Sequence, residues 1–248
     1  IITDIGLDHT AILGASLAEI AKQKIGIVHP GNTVFTYSQS PEIIKVYYHY
    51  CNQQGVTLRI VDEVESNEQG IAEYQQRNFH LAYQMYRYLA RTDNLKFFTR
   101  EEQVQISKVH IPGRMDVSKI GQKTIIMDGA HNYQKMSTFI SSFKSLYPNT
   151  RPVVLLAFKE GREYQELLPM LKDLTDHIIA TEFSAKQDIP QRATSAQELA
   201  ATFKDIAMPN VECYPNPHEA YRALIKSKEK VGIITGSFYL LSQLRRET

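Results

Sequence analysis

The sequence predicts an α/β protein: the latter part of one α/β domain, followed by a complete, doubly wound second domain. Helical and strand patterns alternate along almost all of the 248 residues, and strands separated by helices pair in parallel. A predicted hairpin interrupts the alternation once, and we place the domain boundary before it, between residues 1–110 and 111–248. The chain opens on strand-forming residues without a methionine, so we expect a longer parent protein.

Composition and charge argue against several classes of function. The chain has 28 Lys and Arg against 27 Asp and Glu, a net charge of +1, which argues against a general role on nucleic acid or on a membrane surface. No apolar run approaches the roughly 18 residues that a membrane helix needs. No signal peptide is recognisable, and the two cysteines are far apart in sequence. We therefore expect a reduced, cytoplasmic protein with neither a nucleic acid nor a membrane as partner.

Residues 1–110 carry the patterns of three strands and four helices. Apolar residues at helical spacing predict the first helix, and a capping-box pattern opened by Thr99 predicts the start of the last. The predicted strands are 1–5, 33–37 and 57–61, and the predicted helices are 12–24, 41–54, 71–91 and 99–107.

Residues 111–248 begin differently. Two strand patterns, 115–120 and 123–127, flank Gly121-Gln122, which suits a two-residue hairpin turn. Four more strands then alternate with helices, and their sequences are "PVVLLAF", "HIIAT", "VECY" and "VGIIT". This arrangement predicts a mainly parallel sheet with right-handed crossovers.

The segment "DGAHN", residues 128–132, follows the second strand of the hairpin and precedes a helix. Open α/β sheets bind their ligands at this place, outside the carboxyl ends of the strands. The alternative is purely structural, with Asp128 or Asn132 capping the helix and Gly129 making the turn. The segment by itself does not decide between the two.

Four more polar residues precede or flank the boundary. His9 lies between a strand and a helix, where a neutral imidazole can bind a metal, although a lone histidine is more often structural. Lys24 ends a helix just before a glycine, a position that the helix dipole favours in any case. Gln75 and Asn78 share one helix face. Their carboxamides can form hydrogen bonds with the edge of a base, or they can simply be solvated surface residues.

Arg114, in "PGR", lies at the predicted domain junction. Its fork of donors suits phosphate binding, although a single arginine is most often a surface residue. Each of these signals has a structural alternative when it is taken alone.

Their order along the chain is more specific. The stretches "LDHTxxLG", "IAxxKxGI", "QxxN", "PGR", "DGAHN" and the final "TGSFYLL" resemble the folylpolyglutamate synthase and dihydrofolate synthase family of the Mur ligase superfamily. The resemblance spans nearly the whole chain. It implies the C-terminal part of a Mur-ligase-type central ATPase domain, followed by a Rossmann-like C-terminal domain.

The resemblance also implies an activity. Such enzymes use ATP and Mg²⁺ to phosphorylate the terminal carboxylate of a folate, and the amino group of L-glutamate then displaces the phosphate. Folate and L-glutamate are thus the expected partners of a monomeric ligase. By motif, the resemblance assigns roles to eight residues. They are His9 as a magnesium ligand, Lys24 as a carbamylated lysine, Gln75 and Asn78 at adenine, Arg114 at the ATP phosphates, Asp128 and His131 in the same cleft, and Ser237 near glutamate.

The chain departs from the family pattern in two respects. Gln23 and Ile25 stand where the family usually has Glu and Ala, while Lys24 and Gly26 are retained. No phosphate loop of the form G-x-x-x-x-G-K-[ST] occurs in these residues, so we expect the chain alone to be inactive. Two alternatives stay open: a noncatalytic ligand-binding paralogue, and a Mur-type ligase with a different acceptor.

Overall fold

The computed structural model describes residues 1–8, 10–62, 70–109, 111–185 and 190–245. The chain divides into two compact units, Ile1–Val109 and His110–Thr248. Both units mix helices with parallel strands, which confirms the predicted α/β class.

The first unit is built around a parallel pair of strands. These strands are joined by a helix that begins with proline and is followed by the C-cap residue Gly55, which has a positive φ. Buried side chains of the second and third helices form its core, with Ile20, Ile43 and Tyr47 almost without exposure. Its elements are α1 (Thr10–Leu13), α2 (Leu17–Ile25), β1 (Thr33–Tyr37), α3 (Pro41–Gln54), β2 (Thr57–Val61), α4 (Glu73–Thr92) and α5 (Arg100–Ser107).

Two predictions for this unit were wrong. Residues 1–5 form no strand; Ile2 N–H donates to Phe35 O (2.9 Å) and Ile5 N–H donates to the Gln39 side chain (2.7 Å). The predicted helix 12–24 is two helices, because Gly14 has a φ of +117° and Ser16 starts α2 with a capping box. Apolar periodicity does not reveal this break, since it continues across the glycine.

The second unit is a six-stranded mixed sheet, and the predicted hairpin and parallel strands are confirmed. Its elements are β3 (Asp116–Ile120), β4 (Lys123–Met127), α6 (Tyr133–Leu146), β5 (Val153–Leu156), a 3₁₀ turn (Gln165–Leu167), α7 (Leu168–Leu174), β6 (His177–Thr181), β7 (Ser184–Ala185), β8 (Gln191–Arg192), α8 (Ala196–Asp205), β9 (Asn210–Tyr214), α9 (Pro217–Lys226), β10 (Val231–Thr235) and α10 (Phe238–Leu244). The strand order is β3-β4-β10-β5-β6-β9, with β3 antiparallel to β4 and the other pairs parallel. A short antiparallel pair, β7 and β8, was not predicted.

Helices cover both faces of this sheet. One cluster joins α9 and α10 to alternate strand residues such as Ile125, Leu155 and Ile234. The intervening residues, such as Ile126 and Val154, are equally buried and point to the other face because side chains alternate along a strand. The crossover from β4 to β5 runs opposite to that from β9 to β10, so right-handed connections place α6 and α9 on opposite faces.

In the described part of the chain, no helix combines the length and the apolar character that crossing a membrane requires.

Candidate functional site

The candidate site lies at the carboxyl ends of the neighbouring strands β4 and β10. The turn after β4 leads into α6, and the turn after β10 leads into α10, which packs on the opposite face. A crevice opens where neighbouring parallel strands send their helices to opposite faces, and this is the usual ligand site of open α/β sheets.

Asp128 is buried at the end of β4 and is held by backbone groups. One carboxylate oxygen accepts a hydrogen bond from Met115 N–H and the other from Ala130 N–H, both at 2.9 Å. Its own N–H donates to Ile234 O of β10 at 3.0 Å. Met115 has a φ of +46°, in the left-handed region. Asp128 therefore ties the "PGRM" turn to the end of β4, which positions Arg114 beside the crevice.

Arg114 is placed by an aromatic ring. Its guanidinium lies 4.7 Å from the centre of the Phe238 ring, at the start of α10. The same ring packs on Gly129, where an added Cβ would lie 2.4 Å from two ring atoms. Gly129 N–H also donates to Gly113 O at 2.9 Å. The "PGR", "DGAHN" and "TGSF" turns thus form one packed unit, in which glycine at 129 is a steric requirement.

His131 has polar partners at both ring nitrogens. Nδ1 lies 2.7 Å from Gly129 O, and Nε2 lies 3.1 Å from Lys135 Nζ. Arg162 donates to the backbone carbonyl of His131 at 3.3 Å. Together with Arg114, these contacts bring three cationic side chains to the "DGAHN" turn, so the turn suits an anionic ligand.

Asn132 settles the capping question that the sequence left open. It is the N-cap of α6, with its side-chain oxygen accepting from Lys135 N–H at 3.0 Å. Asp128 does not cap the helix. The two residues therefore have separate structural roles: Asn132 caps α6, and Asp128 holds the "PGRM" turn.

Ser237 is almost fully buried and is the N-cap of α10, because its hydroxyl accepts from Tyr239 N–H at 3.2 Å. The preceding Gly236, with a φ of +92°, donates to Ala130 O at 3.0 Å. A Cβ at Gly236 would lie 2.5 Å from Ala157 O, just beyond β5. The "TGS" turn is therefore clamped between "DGAHN" and the end of β5.

The candidates of the first unit lie on two helices. Lys24 is half-buried in the last turn of α2, and Gln75 and Asn78 lie one turn apart near the start of α4, with Asn78 exposed. Between them, Arg77 pairs with Asp4 at 2.6 Å. His9 lies outside the described residues.

The described residues do not assemble a metal site. Within the ranges given above, no group of three or more His, Cys, Asp or Glu side chains is placed to hold a metal ion. Asp128, the acidic residue nearest His131 in the turn, has both oxygens engaged by backbone N–H groups.

Sequence reasoning missed two residues at this site, Lys135 and Arg162. Lys135 carried a signal, since it stands four residues after His131 at a helix start, and such residues are neighbours on a helix surface. Arg162 carried none, because its contact with His131 spans 31 residues of sequence.

The sheet, its crevice and the polar turns define the class of protein: this is a Mur-ligase-like α/β fold. Residues 114–247 match the family model described as the dihydrofolate synthetase C-terminal domain. The match covers more than half of the chain, so the chain belongs to this family.

Curated relatives extend the similarity over 99% of the chain. It is 28% identical to the dihydrofolate synthetase of Saccharomyces cerevisiae and 25% identical to the dihydrofolate synthase/folylpolyglutamate synthase of Bacillus subtilis. The chain spans only 64% and 61% of the lengths of these two relatives.

Solved structures show the same fold. Mycobacterium tuberculosis folylpolyglutamate synthase, complexed with ADP and AMPPCP, matches 99% of this chain and 62% of its own with a TM-score of 0.77 at 19% identity. Escherichia coli FolC, in complex with DHPP and ADP, matches 99% and 59% with a TM-score of 0.74, also at 19% identity.

Proposed function

We propose that the protein to which this chain belongs is an ATP-dependent ligase that adds L-glutamate to a carboxylate of a folate or folate precursor. One observation carries the proposal: in a chain of this family, Arg114, the "DGAHN" turn and the Ser237 turn meet at the carboxyl ends of β4 and β10. The names of the relatives, and the nucleotides in the similar structures, support the same substrates.

The proposed chemistry has two steps. A carboxylate oxygen of the folate attacks the γ-phosphorus of ATP, which forms an acyl phosphate and releases ADP. The amine of glutamate then attacks the acyl carbon, and phosphate leaves. Both steps build negative charge on phosphoryl oxygens, so fixed cations and donors near them lower the barrier.

The residues of the second unit take distinct roles in this proposal. Arg114 contacts the ATP phosphates, and the Phe238 ring keeps its guanidinium in place. Asp128 acts through the "PGRM" turn that it holds. His131 lines the same ATP cleft, and Ser237, the N-cap of α10, lies near the glutamate site.

The residues of the first unit keep the roles that the resemblance assigns. Gln75 and Asn78 contact adenine from one helix face, His9 is a magnesium ligand, and Lys24 is carbamylated. A carbamate forms only from the neutral amine, whereas a free lysine titrates near a pKa of about 10.4. A desolvated site near a metal ion would favour that conversion.

The test is an assay of the full-length protein with ATP, Mg²⁺, glutamate and either dihydropteroate or tetrahydrofolate. ADP release should require both the pterin substrate and glutamate, and mass spectrometry should find the substrate heavier by one glutamyl residue. Arg114→Ala should lower turnover at least tenfold, whereas Arg151→Ala, at an exposed ion pair with Asp176, should not.

Two other results would redirect the proposal. ATP binding without turnover on any pterin substrate would indicate a noncatalytic paralogue. Turnover with glutamate replaced by another amino acid, or with an acceptor other than a folate, would indicate a Mur-type ligase of different specificity.

A further inference from the structure

The contacts of His131 fit one protonation state of its imidazole. Gly129 O can only accept a hydrogen bond, so the proton between them belongs to Nδ1, 2.7 Å away. Lys135 Nζ, as an ammonium, can only donate, so Nε2 at 3.1 Å must present its lone pair. Both contacts are hydrogen bonds only if the imidazole is neutral and carries its proton on Nδ1. Lys135 therefore caps the one ring nitrogen that could accept a proton.

Lys135 is built into this position. It lies in the first turn of α6, where its backbone N–H donates to Asn132, so its main chain is fixed by the helix cap. Its side chain is half-buried and flexible along its four carbons, so the ammonium can move while the backbone stays in place.

An α-amino acid carries one group that can bind the His131 ring nitrogen and one that can bind the Lys135 ammonium. Its ammonium can donate a proton to a ring nitrogen, and its carboxylate attracts a lysine ammonium. The ammonium and the carboxylate are attached to the same carbon and are therefore close together. They can replace the contact between Lys135 Nζ and His131 Nε2, which lie 3.1 Å apart. Arg162, which holds the carbonyl of His131, leaves the cluster cationic and favours the same carboxylate.

We propose that Lys135 is a positioning residue that keeps His131 Nε2 capped until the carboxylate of the incoming amino acid draws its ammonium away. This inference rests on the proposed ligase function. With Nε2 uncovered, the amino-acid ammonium transfers one proton to it, and the resulting amine attacks the acyl phosphate carbon. The C–N bond forms, and the bond between the acyl carbon and the oxygen that links it to phosphorus breaks. The electron pair of the broken bond stays on that oxygen, and the departing phosphate takes the second amine proton. Lys135 thereby couples recognition of the carboxylate to activation of the amine.

The first test reads His131 directly by ¹⁵N NMR in the full-length protein with a non-hydrolysable ATP analogue. In the resting protein the proton should be on Nδ1. Lys135→Met should shift the Nε2 resonance towards that of a free lone pair, and glutamate added to the wild type should shift it off its resting position. Lys144→Met, in the same helix but paired with Asp173, is the matched control and should leave the resonance unchanged.

The second test is kinetic. Lys135→Met should raise KM for glutamate at least tenfold and leave KM for ATP unchanged, and Lys135→Arg should restore part of the loss because it keeps a cation. Lys144→Met should match the wild type.

Three results would overturn the inference: a resting proton on Nε2, an Nε2 resonance that ignores both Lys135→Met and glutamate, or a Lys135→Met enzyme with unchanged KM for glutamate. A wild type without glutamate-dependent turnover would instead count against the proposed function, and the NMR result would still decide the role of Lys135.

Discussion

At the scale of single residues, Gly129 shows how closely the site is packed. Its N–H bonds to Gly113, and the Phe238 ring fills the space that any side chain would need. The ring also supports Arg114, so a change at residue 129 acts on the site through a neighbour.

We expect Gly129→Ala to destabilise the protein by about 1–3 kcal/mol, the usual cost of overpacking, because the new Cβ would overlap the Phe238 ring. Urea unfolding measures the change. The double variant Gly129→Ala/Phe238→Ala should lose less than the sum of the single losses, since removal of the ring makes room. Strict additivity would show that the ring is not the obstacle.

Glu229, which precedes β10 at the opposite end of the sheet, makes a pH-dependent contribution to the stability of the folded state. Burial by itself raises its pKa, but hydrogen bonds from its own backbone and from His177 and Ser227 outweigh burial and lower the pKa below its ordinary value of 4.5. A carboxylate with a lowered pKa stabilises the folded state above the unfolded-state pKa, and this contribution is lost as the pH falls through the folded-state pKa.

Glu229→Gln should therefore be less stable than the wild type near pH 6, and the gap should shrink as the pH falls below about 4.5. Measuring the free energy of unfolding between pH 3 and 6 tests this. Glu163→Gln, at an exposed position, is the control and should show no such trend. A gap that is constant across the range would exclude a role for the Glu229 charge.

At the scale of elements, the start of α2 determines where Lys24 lies. Ser16 accepts from Glu19 N–H, and Glu19 accepts from the backbone of Ala15 and Ser16. Hydrogen bonds from the side chain and backbone of Ser16 lower the pKa of Glu19. The cap therefore fixes the helix that carries the candidate carbamate residue.

The N-caps of α2 and α3 are both serines, so substituting each by alanine gives a matched pair of variants. Ser16→Ala should cost about 1 kcal/mol of stability because it removes a side-chain cap. Ser40→Ala should stay within about 0.5 kcal/mol of the wild type, since the Ser40 side chain makes no capping hydrogen bond to the backbone of α3 and donates only to the exposed Glu42 side chain, at 3.5 Å. Chemical denaturation of the two variants side by side decides the matter, and equal losses would count against the cap.

At the scale of the whole molecule, the 248 residues include the side chains that we propose to contact ATP, but no sequence of the phosphate-loop form. Backbone N–H groups of such a loop are the usual source of preorganised phosphate donors. Each charge-assisted hydrogen bond contributes only about 1.5–3 kcal/mol, whereas association costs at least about 4 kcal/mol.

We therefore expect these 248 residues alone to bind ATP with a Kd of about 1 mM or weaker, and to show no glutamate-dependent ATP hydrolysis. Calorimetry with ATP and Mg²⁺ measures the affinity, and a chain extended at its amino end provides the comparison. Micromolar binding by the 248 residues would mean that the phosphate site lies within them.

The sequence by itself determined the order and type of most elements of this protein, and the place of "DGAHN" at the end of a strand. It did so because apolar periodicity and cap residues act within a few positions of one another. It did not reveal the break at Gly14, where periodicity continues through a backbone that turns.

Only the tertiary structure decided which turns meet. β10 inserts between β4 and β5, and this order brings Gly236 against Ala130, more than 100 residues earlier in the chain. It also showed that Asp128 serves the "PGRM" turn, and that Arg162 reaches His131. The physical reason is that strand order and contacts between distant turns depend on long-range hydrogen bonds and packing, which leave no periodic trace in the local sequence.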